Sequence, residues 1–171
     1  MKYKKTAIIF GITGQDGAYL SHLLLQKEYK VIGITRNKSN GNLFRLKKLE
    51  VDKKIRILKG VATDLKFCNK VINSKINEIY YLAGDSSVIK SFETPHVSLK
   101  SNTEGILNIL QILKNKNLKI KLFNAGSGQF YGDNIKNFYN INSKIEPQSP
   151  YGVSKAAAYW LIKIYREKYN I

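Results

Sequence analysis

The feature that most constrains the fold is an apolar run that ends in a glycine-rich turn close to the N-terminus. Residues 6–10 form a short continuous apolar run with β-branched residues, as expected for a strand buried on both faces. Gly11, Gly14 and Gly17 follow at G-x-x-G-x-x-G spacing. Glycines let the backbone turn sharply and approach a pyrophosphate, which the N–H groups of a helix N-terminus attract. The segment therefore predicts a dinucleotide-binding turn, with cofactor contacts at Gly11, Thr13, Gly14, Gln15, Asp16 and Gly17.

Strand-like and helix-like segments alternate along the rest of the chain. Apolar residues recur at helical spacing just after the turn, again between residues 97 and 113, and in a last helix from about Tyr151 to Tyr169. The predicted strands are residues 6–10, 30–35, 56–58, 78–82 and 119–123. This alternation predicts an α/β fold, a Rossmann-type doubly wound parallel sheet with helices on both faces.

Length and composition favour a single domain over residues 1–171. A chain of 171 residues with 43% hydrophobic content can bury one sizeable core. It has no apolar run of about 20 residues and no signal-peptide pattern, which predicts a protein without membrane contact. The only cysteine, Cys68, has no partner for an internal disulfide and no metal ligands around it. We therefore expect a metal-free protein of the reducing cytoplasm.

The charge balance raises the question of a nucleic-acid partner. The formal net charge is +17, and Lys and Arg displace counterions from phosphates. However, nearly all of this charge is lysine scattered among isoleucine and asparagine, which is typical of a compositional bias with solvated side chains. No helix-turn-helix or zinc-finger pattern is present. We expect no nucleic-acid partner.

The residues after the second predicted strand indicate which dinucleotide binds. An acidic side chain about 20 residues beyond the glycines accepts hydrogen bonds from the ribose 2′-hydroxyl of NAD, whereas an arginine suits a 2′-phosphate. Here Arg36 is followed by Asn, Lys and Ser, and no acid is present. The sequence therefore predicts NADP rather than NAD, with Arg36 as a cofactor contact.

A tyrosine and a lysine stand four residues apart in the last predicted helix. Tyr151 and Lys155 therefore project from the same side of that helix. A lysine ammonium beside a tyrosine stabilises the phenolate, which suits the phenol to proton exchange with a substrate hydroxyl during hydride transfer. Both residues are candidate catalytic and cofactor-binding groups.

Taken together, these motifs resemble the extended short-chain dehydrogenase/reductases of the NAD-dependent epimerase/dehydratase family, and most closely the GDP-mannose 4,6-dehydratases. The match spans essentially the whole chain, and its most specific part is the Gly-Ile-Thr-Gly-Gln-Asp-Gly run. The matching stretches are 11–20, the end of the second strand at Arg36, 78–80, 149–152, 158–160 and 166–170.

The resemblance implies a role for each matching residue. Hydride would leave C4 of a GDP-linked sugar for NADP, water would be lost across C5 and C6, and the hydride would return at C6. Tyr151 would act as the base at the C4 hydroxyl, and Ser127 would hydrogen-bond the reacting oxygen. Ser86 and Ser87 would either lie between cofactor and sugar or cap the loop with their hydroxyls. Further implied cofactor contacts are Asp64, Leu65, Leu82, Ala83, Gly84 and Lys155. A homo-oligomer is implied for the full-length enzyme.

The sequence departs from this resemblance at two places. Such dehydratases carry a glutamate that removes the C5 proton, and the corresponding position here is Gln129, which cannot act as that base. They also continue into a smaller C-terminal domain that holds the sugar nucleotide, so we expect residues 1–171 to lack the substrate domain.

Two alternatives to an impaired dehydratase stay open at this point. A sugar-nucleotide epimerase or C4 reductase needs Ser127, Tyr151 and Lys155 but no carboxylate at position 129, so Gln129 favours it. A non-catalytic dinucleotide-binding fragment is favoured by the expected lack of a substrate domain.

Overall fold

A computed structural model describes residues 3–132 and 138–171, and within them a five-stranded sheet forms the centre of the molecule. Every strand pairs in parallel with its neighbours, in the order β3-β2-β1-β4-β5. The strands are β1 Lys5–Phe10, β2 Tyr29–Thr35, β3 Arg56–Lys59, β4 Glu78–Tyr81 and β5 Lys121–Asn124. All five predicted strands are confirmed, with ends that differ by up to two residues.

Helices cover both faces of this sheet. They are α1 Gln15–Gln26, α2 Phe44–Lys48, α3 Leu65–Val71, α4 Val88–Glu93, α5 Pro95–Leu99, α6 Gly105–Asn115 and α7 Pro150–Tyr169. The last helix was predicted from about Tyr151 to Tyr169; in the structure it begins one residue earlier, at Pro150, and ends at Tyr169 as predicted. None of the helices within the described ranges combines the length and apolarity needed to cross a bilayer.

The side chains of β1 show how the two faces are filled. Ile8 and Phe10 point into one core with α3, α6 and α7, while Ala7 and Ile9 point into a second core with α1 and α2. Successive residues of a strand face opposite sides, so a strand between two cores must be apolar throughout. This explains the continuous apolar run and confirms the doubly wound fold class.

The helix predicted between residues 97 and 113 is not continuous. Helix α5 ends at Leu99, a π-turn spans Lys100–Glu104, and α6 begins at Gly105. The helical apolar spacing belongs to α6 alone, whereas the π-turn carries the polar residues Ser101, Asn102 and Thr103. The prediction of one regular helix was wrong because these side chains bond to other segments of the chain.

Candidate dinucleotide-binding and active site

The carboxyl ends of the parallel strands gather the predicted site residues at one edge of the sheet. Gly11 follows β1 with φ 86°, a left-handed conformation that favours glycine. Gly17 lies in the first turn of α1, where a Cβ would stand 2.3 Å from the Gly11 carbonyl oxygen. Gly14 directly precedes α1, and Asp16 lies in the first turn of this helix. The turn therefore packs closely against the first turn of α1, where the N–H groups of a helix N-terminus attract a pyrophosphate.

Polar side chains lie beside this turn at the end of β2. The amide of Asn42 donates to the Thr35 hydroxyl at 3.1 Å, to the Thr13 hydroxyl at 3.3 Å and to the Asn37 carbonyl at 2.6 Å. The Arg45 guanidinium donates to the Thr13 carbonyl at 3.4 Å. Asn42 and Arg45 were not among the predicted residues, because they lie in a loop and in α2, outside the motif that marks the turn.

Arg36 directly follows β2 and is exposed to solvent. Its position at the carboxyl edge is the predicted one, and its role towards a 2′-phosphate stays a prediction.

Asp64 caps α3, because its carboxylate accepts a hydrogen bond from the Phe67 amide at 3.0 Å. Leu65 is the first residue of α3 and is 45% exposed. Both stay predicted cofactor contacts.

The loop after β4 brings the next group of predicted residues to the same edge. Leu82 and Ala83 are half-buried, and Gly84 and Ser86 are exposed. The Ser87 hydroxyl caps α4 by accepting a hydrogen bond from the Lys90 amide at 3.2 Å. The capping role that sequence reasoning left open for these serines is therefore found at Ser87.

The Tyr-Lys pair lies at the start of α7. The Ser149 hydroxyl caps this helix by accepting from the Gly152 amide at 3.0 Å, and Pro150 occupies its first turn. Tyr151 and Lys155 are each only 8% exposed. The Lys155 ammonium lies 5.7 Å from the centre of the Tyr151 ring and donates to the Ala125 carbonyl at 3.0 Å. Burial lowers the pKa of Lys155.

The hydrogen bond to Ala125 places this pair beside the end of β5. Two residues later, the Ser127 hydroxyl caps a 3-10 turn over Gly128–Tyr131 by accepting from the Gln129 amide at 3.2 Å. That turn packs against α7. Ser127, Gln129, Tyr151 and Lys155 are thus brought together by the fold, although they come from two segments. A phenol beside a buried ammonium is suited to proton exchange with a hydroxyl.

Known proteins are similar to this sequence over nearly its whole length. The sequence model of the GDP-mannose 4,6 dehydratase family matches residues 8–171. The chain belongs to the GDP-mannose 4,6-dehydratase family. It is 35% identical over 176 residues to the GDP-mannose 4,6 dehydratase of Drosophila melanogaster, covering 98% of this chain and 45% of the fly protein. The human protein of the same name is 34% identical, covering 99% of this chain and 48% of its own length. The chain spans about half the length of the curated relatives it matches.

Solved structures confirm the fold. A dTDP-glucose 4,6-dehydratase from Streptomyces venezuelae superposes with a TM-score of 0.85 at 23% identity, over 96% of this chain and 52% of its own. A UDP-glucose 4-epimerase from Thermotoga maritima superposes with a TM-score of 0.84 at 21% identity, over 97% and 52%. The predicted resemblance is therefore confirmed for the family, and the Rossmann-type fold is shared with proteins named as dehydratases and as epimerases.

Proposed function

We propose that this member of the GDP-mannose 4,6-dehydratase family provides the cofactor-binding half of an NADP-dependent nucleotide-sugar 4,6-dehydratase. The proposed substrate is a GDP-linked sugar, and the proposed reaction belongs to the lyases and to deoxysugar formation for surface polysaccharide in the cytoplasm. The observation that carries the proposal is the position of Lys155 and Tyr151. The ammonium is held at the end of β5, at the edge of the sheet where the glycine-rich turn ends β1.

The residues of this edge fit a nicotinamide dinucleotide. Neighbouring structures are described with NAD bound, among them the Streptomyces dehydratase. In this chain Gly11 and Gly17 pack closely and form a tight turn at the N-terminus of α1, where backbone N–H groups attract a pyrophosphate. The dinucleotide would supply the hydride acceptor. The phenol of Tyr151 would take the proton of the C4 hydroxyl, Lys155 would stabilise the phenolate, and Ser127 would hydrogen-bond the reacting oxygen.

Gln129 limits what this set of residues can do. The resemblance assigns its position to the base that removes the C5 proton, and a carboxamide does not take up a proton at neutral pH. Oxidation at C4 needs no such base, whereas water loss across C5 and C6 does. Gln129 is thus the observation that favours the second candidate function, a sugar-nucleotide epimerase or C4 reductase. The family match favours the dehydratase.

The preference for NADP can be tested on the chain itself. We expect NADPH to bind more tightly than NADH in calorimetry, because no carboxylate follows β2 and Arg36 is placed to meet the 2′-phosphate. Arg36→Ala should weaken NADPH binding by about 1.5 kcal/mol, the low end for a hydrogen bond to a charged group because Arg36 is exposed. NADH binding should not change.

Arg56→Ala is the matched control, since Arg56 is an exposed arginine on the edge strand β3. It should leave both affinities unchanged. Equal affinities for NADPH and NADH that do not respond to Arg36→Ala would overturn the NADP assignment. Failure to bind either dinucleotide would overturn the proposed function as a whole.

The full enzyme is proposed to be a homo-oligomer. In this chain the outer faces of α5 and α7 carry exposed apolar side chains, including Leu99, Trp160 and Ile164. Such a face is suited to an isologous contact, in which the same patch of two copies meets across a two-fold axis.

A further inference from the structure

A buried phenol meets the π-turn that separates α5 from α6. Tyr81 is the last residue of β4 and is only 2% exposed. Its hydroxyl donates a hydrogen bond of 2.5 Å to the carbonyl of Ser101, inside the π-turn Lys100–Glu104. Gly105 makes this approach possible, because a Cβ there would stand 2.2 Å from the Tyr81 oxygen. The hydroxyl of Tyr81 therefore packs against the backbone of the π-turn and of Gly105.

Three consecutive side chains of the π-turn bind two other segments of the chain. The Ser101 hydroxyl accepts from the Asp85 amide at 3.1 Å. The Asn102 amide donates to the Asp85 carbonyl and to the Ser154 hydroxyl, both at 3.1 Å. The Thr103 hydroxyl donates to the Ser154 carbonyl at 3.1 Å. Together these bonds form what we call the π-clamp, made of Ser101, Asn102 and Thr103.

The two segments that the π-clamp joins are those that carry the proposed site. Asp85 follows Leu82, Ala83 and Gly84 in the loop after β4. Ser154 is the neighbour of Lys155 in α7, one turn after Tyr151. The π-clamp therefore links a predicted cofactor-binding loop to the helix turn that carries the Tyr-Lys pair.

The geometry of the π-clamp depends on the π-turn. Each residue added to a helix rotates the next side chain by about 100°, so closing the π-turn to a regular α-helix would turn the three side chains away from their partners. The arrangement also has a cost, because the buried Oδ1 of Asn102 finds no hydrogen-bond partner among the described residues. Other hydrogen bonds of the π-turn must offset the free-energy cost of this unpaired oxygen, and the bond from Tyr81 is one of them.

We propose that Tyr81 is a positioning residue, which holds the π-turn in shape so that the π-clamp fixes the loop after β4 against the start of α7. The proposal rests on the proposed function for its link to cofactor binding. The link between the two segments stands on the hydrogen bonds alone.

Amide hydrogen exchange on the whole chain tests this link. Tyr81→Phe keeps the ring, which packs 5.9 Å from that of Phe10, and removes only the hydroxyl. Exchange should become about tenfold faster in both residues 84–88 and residues 151–155, as expected for the loss of one buried hydrogen bond. The same variant should weaken NADPH binding about threefold to tenfold.

Tyr80→Phe is the matched control, because Tyr80 is the preceding residue of β4 and its hydroxyl donates to Glu78 at 2.8 Å. Once corrected for any change in global stability, exchange in both segments should be the same as in the unaltered chain. Thr103→Val is a second variant that removes one bond of the π-clamp, and it should speed exchange in residues 151–155. The combined effect of Thr103→Val and Tyr81→Phe should be smaller than the sum of the two, since both variants act through the π-clamp.

Exchange that rises only in proportion to global unfolding, or only within residues 100–105, would overturn the proposal. If Tyr81→Phe does not fold, unchanged exchange in Thr103→Val would overturn it as well. A chain that binds neither NADPH nor NADH would overturn the proposed function, while the exchange result would still decide whether the π-clamp joins the two segments.

Discussion

Gly17 is held directly against the carbonyl of Gly11 in the dinucleotide-binding turn. Gly17→Ala would favour the helix by about 1 kcal/mol through its higher propensity. It would also force a Cβ to within 2.3 Å of a backbone oxygen, a contact that requires the turn to shift. Overpacking of this kind typically costs about 1 to 3 kcal/mol, so we expect a net loss in the free energy of unfolding and weaker NADPH binding.

Urea unfolding and calorimetry measure the two effects of Gly17→Ala. Gly41→Ala serves as the control, because nothing lies within 4 Å of a Cβ placed at Gly41. It should change neither stability nor affinity. If Gly17→Ala instead stabilises the chain and leaves NADPH binding unchanged, the turn can accommodate a Cβ and the prediction is wrong.

Glu78 is a carboxylate at the start of β4 that accepts three hydrogen bonds. The donors are the Tyr80 hydroxyl at 2.8 Å, the Tyr29 hydroxyl at 3.0 Å and the Lys5 ammonium at 3.2 Å. Burial by itself raises the pKa of Glu78, but the hydrogen bonds from Tyr80, Lys5 and Tyr29 outweigh it and leave that pKa below its usual value. The ionised form is therefore the one that stabilises the fold.

Glu78→Gln should lower the free energy of unfolding at pH 7 by about 1.5 to 3 kcal/mol, the range for hydrogen bonds to a charged group. The stabilisation is present in full above the pKa of the unfolded chain, about 4.3, and is lost as the pH falls through the lower folded pKa. Urea unfolding from pH 7 to below pH 4 should thus show the difference between the two chains shrinking. The exposed Glu28, paired with Lys4, is the control position, and a Glu28→Gln chain as unstable as Glu78→Gln would contradict the prediction.

Sequence reasoning found the site residues that belong to local motifs. Tyr151 and Lys155 follow from a spacing of four within one helix. The bond from Lys155 to Ala125 spans 30 positions, and the bond from Tyr81 to Ser101 spans 20. No short motif encodes contacts of that kind, so they become visible only when the sheet brings the strand ends together.

At the scale of elements, the strands were predictable and the short helices were not. A buried parallel strand is a continuous apolar run, which a sequence displays directly. Helices α2, α3 and α4 have only five to seven residues, too few for a repeated helical pattern. The π-turn has no signature of its own, because its polar residues serve partners in β4, in the loop after it and in α7.

The outer face of α7 predicts self-association. Val153, Trp160 and Ile164 are 44%, 46% and 51% exposed and share one face of this helix with Ala157. We expect the chain to form dimers in analytical ultracentrifugation. Trp160→Lys should weaken the association at least about tenfold, because buried tryptophans often dominate an interface.

Salt provides a second check on this association. The formal net charge of +17 makes two copies repel each other, so added salt should strengthen the dimer by screening. Tyr19→Lys is the control and should leave the strength of the dimer unchanged, since Tyr19 is 61% exposed on α1, away from this face. A strict monomer at high concentration and high salt would show that α7 is not a contact surface.

At the scale of the whole molecule, the proposed catalytic groups need a sugar to act on. The chain covers 47% of the GDP-mannose 4,6-dehydratase of Vibrio cholerae, to which it is 35% identical. A fusion of this chain to the C-terminal half of that relative would combine the Tyr151–Lys155 pair with the part of the protein that we expect to hold the sugar nucleotide. Such a fusion makes the role of position 129 measurable.

In this fusion, Gln129→Glu should raise the formation of 4-keto-6-deoxy sugar from GDP-mannose at least about tenfold, since a positioned general base contributes about 10² to 10⁴-fold. Tyr151→Phe in the same background should abolish the gain, because the C5 proton becomes acidic only after C4 is oxidised. The product can be followed by mass spectrometry. Efficient dehydration with Gln129 in place would mean that another carboxylate supplies the base. Inversion of a sugar centre without loss of water would instead favour the epimerase, whose chemistry needs Tyr151, Lys155 and Ser127 but no carboxylate at position 129.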